Sequence, residues 1–178
     1  MNARSQPGPH PAGPTILQAP IGTQLWAMID EHRAILAACL DGLSEDEARA
    51  ALVPSKTTLL GLVKHATFVE QVWFDEAVTG RSRAEIGISA TPDESFDLAP
   101  KDTIASVSAG YAAALTSSRR HTAGLGLDDI VSGNRRGPLP LRYVLLHVLR
   151  ELAQHCGHAD ILREQLLAAR QGAEVSAR

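Results

Sequence analysis

The stretch LRYVLLHVLRELAQHCGHADILREQL, residues 141–166, decides the fold. At about 100° per residue, Leu141, Val144, Leu145, Val148, Leu152, Ala159, Leu162 and Leu166 share one broad stripe. That is the signature of an amphipathic helix packed on a core. The pattern predicts a helix over 141–169. His155 falls near the middle of the stripe and Glu151 lies one turn earlier, toward its edge. His147 and His158 sit further round the same flank. Residues four apart are neighbours on a helix surface, so Glu151 and His155 point together toward the core. An ionised carboxylate buried without a partner is very costly, so something must pair with it.

Earlier segments carry the same period. Leu25, Ile29, His32, Leu36 and Leu40 predict a helix over 23–40 that ends at Gly42. Ser44 and Glu47 have the spacing of a capping box and open a short helix over 45–52, stopped by Pro54. A second long helix is expected over 58–79, closed by Gly80, and a third over 101–122, ended by Gly124 and Gly126. Residues 81–99 read as a loop, and 128–140 as a turn-rich connection with room for a short extended piece. No segment alternates with period 2. Four long amphipathic helices in a chain of this length predict an all-α, antiparallel four-helix bundle. The long second and third connections leave its topology open. Pro7, Pro9, Pro11, Pro14 and Pro20, with Gly8 and Gly13, predict a disordered tail over 1–20. The domain is then expected over 21–170, with a disordered C-terminus over 171–178.

Composition excludes several function classes. The chain has 178 residues, 44% of them apolar and 21% charged, as in an ordinary single globular domain. A formal net charge of −3 argues against a nucleic-acid partner. Aromatic residues make up 4%, too few for a base-stacking platform. No apolar run reaches the ~20 residues of a membrane span. Cys39 and Cys156 are too few for a disulfide scaffold and read as free thiols. With no signal-peptide pattern, a cytoplasmic location is expected. The chain holds three lysines and fourteen arginines, a bias associated with GC-rich genomes. Phosphate-cradling glycine loops, H-E-x-x-H, G-x-S-x-G and C-x-x-C are absent from the sequence.

A second inward histidine stands on the second helix, in LLGLVKHATFVEQVWF, residues 59–74. His65 lies on the row of Leu62 and Val69, with Trp73 close by. Two facing helices bring His65, Glu151 and His155 together, and two imidazoles with one carboxylate suit a divalent transition metal. Such a set leaves coordination positions open, as catalytic sites do. Spacing alone leaves the set open. His147, His158, His32 and His121 compete as ligands, and the ordinary alternative is a pair of core histidines with Glu151 paired to Arg150.

The blocks TLLGLVKHATFVEQVWF (58–74) and ELAQHCGHADILRE (151–164), with GLSEDEAR (42–49) between the first two helices, resemble the DinB-like, or YfiT-like, metalloenzyme superfamily. The resemblance spans about residues 24–168 and is nearest to the mycothiol-dependent branch. It implies a four-helix bundle with one divalent metal ion held by a histidine of the second helix and two residues four apart on the last. Here these are His65, Glu151 and His155. His158 matches a histidine recurrent in the branch, with a supporting, substrate-facing or packing role. Asp160 and Arg163 match too and read as a surface ion pair.

The resemblance further implies an S-transferase or thiol-dependent isomerase that uses a low-molecular-weight thiol of the mycothiol type. Zinc is the first expectation for the metal, with nickel, manganese or iron as alternatives. The partners are then a small thiol and an electrophile, with no nucleic acid and no membrane. A homodimer is the expectation for such bundles. Arg135, Arg136 and Arg142 are candidates for holding the sugar part of the thiol. Tyr111, Tyr143 and Trp73 are candidates for the cavity wall, while Trp26, Phe68 and Phe74 read as core or interface. The alternatives are a metal-dependent hydrolase at the same site, with Glu70 or Glu76 as base although both read first as ordinary helix-surface charges, and a non-catalytic metal-binding or interaction bundle. Cys156, beside a ligand but about 100° round the helix, reads as an inert buried thiol.

Overall fold

A computed structural model describes residues 14–176 of the chain. In order, the helices are α1 (Pro14–Leu17), α2 (Ile21–Ala38), α3 (Glu45–Ala48), α4 (Leu59–Gln71), α5 (Ala77–Thr79), α6 (Arg83–Ile86), α7 (Ile104–Thr122) and α8 (Leu141–Ser176). A π-helical turn, Val72–Glu76, fuses α4 to α5, and a 3₁₀ turn covers Glu94–Phe96. Two short strands, β1 (Ile130–Val131) and β2 (Leu139–Pro140), pair antiparallel before α8. Among the described residues no helix is long and apolar enough to cross a membrane.

Local chemistry sets the ends. The Ser44–Glu47 capping box forms as expected, although α3 stops after one turn. Thr58 caps α4 by accepting from the Gly61 N–H, and Thr103 caps α7 by accepting from the Ser106 N–H. Gly80 closes α5 with φ +74°, a conformation that other residues rarely adopt. Two expected ends are corrected. Residues 14–17 of the expected tail form a helical turn, and Pro20 stands at the N-cap of α2. Over 171–176, expected as part of a disordered C-terminus, the chain instead continues α8 to Ser176. No proline interrupts those turns, and Arg170 anchors them by donating to the Glu47 carboxylate at 2.7–2.9 Å. The rest of the expected tail, residues 1–13, lies outside the described residues.

The four long helices α2, α4 (with its π turn and α5), α7 and α8 form the bundle. Cross-helix contacts resolve the direction of each. Arg33 meets Glu70 and Trp26 meets Phe74, so α2 and α4 are antiparallel. His65 meets His155 and Trp73 meets His147, so α4 and α8 are antiparallel. Lys64 pairs with Asp102 near the start of α7, and His121 near its end reaches the Phe74 carbonyl, so α4 and α7 run the same way. The chain therefore runs up, down, down, up. The segment 80–103 must return along the bundle between α4 and α7, which accounts for its length. Lys56 ties it down through Asp93 and Asp97, and Lys64 through Asp102.

The core is continuous. Every residue of the α8 stripe is buried, as are Leu25, Ile29 and Leu36 of α2 and nearly all of α4. Inside it lies a buried ion pair. Arg33 donates to both oxygens of Glu70 at 2.9 and 2.7 Å, beside the rings of Trp26 and Phe74, and also to Asp30 at 2.9 Å.

Gly133 clamps the β1–β2 connection to the end of the second bundle helix. Its N–H donates to the Ala77 carbonyl at 3.0 Å, and a Cβ there would lie 2.0 Å from the Glu76 carbonyl oxygen. Gly133→Ala should therefore force the two backbones apart, costing about 2 kcal/mol. Thermal unfolding should show a Tm lower by roughly 5 °C, given ~2–4 °C per kcal/mol for a chain of this size.

Candidate metal centre

The antiparallel crossing of α4 and α8 places His65 against Glu151 and His155. One ligand-type atom from each of the three lies within 4.8 Å of the others. Zinc bonds of about 2.0–2.2 Å hold tetrahedral ligands roughly 3.3–3.6 Å apart, so small side-chain rotations would close the set on one ion. The rings of His65 and His155 meet edge to face at 4.7 Å, and His155 Nε2 is 3.8 Å from Glu151 Oε2. Both histidines are buried and Glu151 is half-buried.

The returning segment orients His65. The Ser95 hydroxyl donates to the Pro92 carbonyl at 2.5 Å, so its oxygen accepts from His65 Nδ1–H at 2.6 Å. This fixes the tautomer and leaves the Nε2 lone pair free. Phe96, from the same segment, stacks on the His65 ring at 4.1 Å. His155 Nδ1 is buried with no hydrogen-bond partner. Buried polar atoms are rarely left so, and an unmet imidazole nitrogen inside a His/Glu/His set is what a metal site without its ion presents.

The charges fit as well. Burial, with neighbouring His155 adding to it, pushes the His65 imidazole down to about 4, so it is neutral at pH 7. The His155 imidazole, then Arg150, hold the Glu151 carboxyl down to about 2. A neutral imidazole at His65 and an ionised carboxylate at Glu151 are the protonation states a metal requires of those two ligands.

A cleft of about 440 Å³ opens beside the set. Its wall includes His65, Glu151, Trp73, His147, Asn134 and Arg136. His147 packs on Trp73 at 4.2 Å, accepts from Arg150 on Nδ1 at 3.2 Å, and so turns its Nε2 toward Glu151 Oε1, 3.6 Å away. Burial lowers the His147 imidazole too.

Other expected residues fall elsewhere. His158 is exposed, its ring 5.7 Å from that of His155, beside a separate cavity lined by Val53 and Ile161. His32 and His121 bind the backbone carbonyls of Met28 and Phe74. Glu70 and Glu76 are not surface charges: the first is closed onto Arg33, and the second accepts from Arg83 Nε at 3.0 Å. Arg163 does not pair with Asp160 but donates to the Cys39 and Asp41 carbonyls past the end of α2. Arg142 pairs with Asp128, outside the cleft, and Tyr111 is buried without lining it. Cys39 and Cys156 are buried, their thiols pushed up to about 12 by desolvation. Sequence reasoning missed Ser95 and Phe96, because nothing in a loop sequence says which helix it crosses.

A four-helix bundle with a His/Glu/His cluster facing its core belongs to the class of bundle proteins with a candidate metal centre. Comparison with known proteins narrows the class. The chain belongs to the Mycothiol-S-transferase family, whose profile matches residues 24–168. A crystal structure of a conserved protein from Enterococcus faecalis superposes with a TM-score of 0.60 at 15% identity, covering 84% of this chain and 99% of that one. That likeness supports the fold. A search of curated proteins found no match.

Two outcomes are expected. Ser95→Ala should weaken zinc binding about 10–100-fold in a chelator-competition titration, because it frees the His65 ring. Metal-free protein should lose stability as pH falls from 6.5 to about 4. Across that window the unfolded chain binds the His65 proton and the folded chain refuses it. His65→Gln should flatten this part of a Tm-against-pH curve.

Proposed function

We propose that the protein is a cytoplasmic, metal-dependent thiol S-transferase, with His65, Glu151 and His155 as ligands of one divalent ion, zinc foremost. The observation that carries this reading is the convergence of these three side chains beside an open cleft, with His65 neutral and Glu151 ionised. Family membership supports mycothiol as the thiol. A divalent ion held there supplies a Lewis acid that lets a thiol bind as thiolate near pH 7.

The chain's own residues do the rest. Ser95 holds His65 in one tautomer. His147 and Arg150 hold the Glu151 carboxylate from the cleft side. Phe68, Val69 and Trp73 give that cleft an apolar wall, which excludes water from an anionic sulfur. Thiol transfer is favoured over hydrolysis because both carboxylates offered as general bases are engaged, Glu70 by Arg33 and Glu76 by Arg83. The buried cysteines leave sulfur chemistry to a bound thiol. A homodimer is part of the proposal. Ile21, Met28 and Ile35 repeat every seven residues on α2, are 59%, 48% and 38% exposed, and form an apolar stripe suited to symmetric packing.

Elemental analysis of purified protein should find about one ion per chain, and His65→Ala and Glu151→Ala should lose it while keeping their helical circular dichroism. Zinc-loaded protein should accelerate alkylation of mycothiol by an electrophile such as monobromobimane, and both variants should fall to the uncatalysed rate. A parent that binds neither zinc, nickel nor manganese would sink the proposal.

A further inference from the structure

The cleft is more basic than the protein. The chain has a net charge of −3, yet Arg83, Arg135, Arg136 and Arg150 line this cleft and Glu151 is the acid among its lining residues. Three of the four guanidiniums have carboxylate neighbours. Arg83 binds Glu76 and the Ala90 carbonyl, Arg150 binds Glu151, and Arg135 lies 3.9 Å from Glu76. Arg136 has none among the described residues. It is exposed, its guanidinium lies 5.5 Å from the Trp73 ring centroid, and it donates to the Tyr143 hydroxyl at 3.2 Å.

That position is built. The Gly133 clamp fixes the start of the turn. Buried Asn134 shapes it by accepting from the Arg136 N–H through Oδ1 and from the Gly137 N–H through its carbonyl. Trp73, under the guanidinium, also packs on His147, which faces Glu151. One small molecule in the cleft can therefore reach both the arginine and the His/Glu/His set.

We propose that the cleft binds a carboxylate-bearing substrate, its carboxylate paired with Arg136 and its reactive end directed at the His65–Glu151–His155 set. A guanidinium oriented on an aromatic face with free N–H donors matches a planar carboxylate in a two-point contact. Sugar hydroxyls would be served equally by neutral groups. The net positive field draws an anion into the cleft. Naming that anion as the electrophile of thiol transfer rests on the function proposed above. The anion site itself does not, so the two can fail separately.

The test uses succinate and its diamide as unreactive probes, titrated calorimetrically into metal-free and zinc-loaded protein. Succinate should bind both forms, weaken with added salt, and bind Arg136→Met at least about 10-fold less tightly, as loss of a charge-assisted contact implies. The diamide should not bind, and Arg142→Met should behave as the parent. Equal binding of diamide and succinate, unchanged succinate binding by Arg136→Met, or binding only to zinc-loaded protein would overturn the proposal. Succinate binding that depends on Arg136 in a protein that takes up no metal would keep the anion site and remove the transferase.

Discussion

Two imidazoles and a carboxylate face one another between α4 and α8, inside a core made mostly of apolar side chains. Desolvating such groups is unfavourable unless each polar atom finds a partner. The protein meets this requirement differently at its two interior polar clusters. Arg33 meets both oxygens of Glu70 through two hydrogen bonds and gives a third to Asp30, so that cluster is closed by its own side chains. The His65 cluster is left open, with three ligand-type atoms converging and one buried imidazole nitrogen unmet. We propose that a divalent ion joins the converging atoms, which is why we read the first cluster as structural and the second as functional.

The bundle's topology follows from serving that open cluster. An up-down-down-up course forces a long return segment between α4 and α7. The segment brings Ser95 and Phe96 against His65, one fixing its tautomer and the other its ring plane. The π turn and Gly80 end the second bundle helix where the β1–β2 connection docks through Gly133. Docking sets Asn134–Arg136 across the cleft from Glu151. Connections that look incidental in a helical protein thus complete two sides of the site.

Much of this was legible in the sequence. The α8 stripe is buried residue for residue, because a 3.6-residue period maps directly onto one helix face. The same arithmetic aimed His65, Glu151 and His155 inward, and the family blocks selected them from the competing histidines. Topology was not legible, since connection length permits several courses. Glu70 and Glu76 were misread as surface charges because α4 and its π turn are covered nearly all round, by α7 and α8 and then by the return segment and β1. A helical projection cannot see covering by distant segments, and the π turn shifts its phase beyond Gln71. Ser95 and Phe96 escaped for the same reason: their roles depend on where a loop lies, which hydrophobic period does not encode.

The central claim is that His65, Glu151 and His155 hold a metal with a position open to a thiol. Zinc K-edge X-ray absorption of loaded protein, before and after mycothiol is added, tests it most directly. The account predicts a nitrogen and oxygen shell at about 2.0–2.2 Å with imidazole scattering, then one sulfur at about 2.3 Å once the thiol is present. A shell without imidazole, or one unchanged by the thiol, would contradict it.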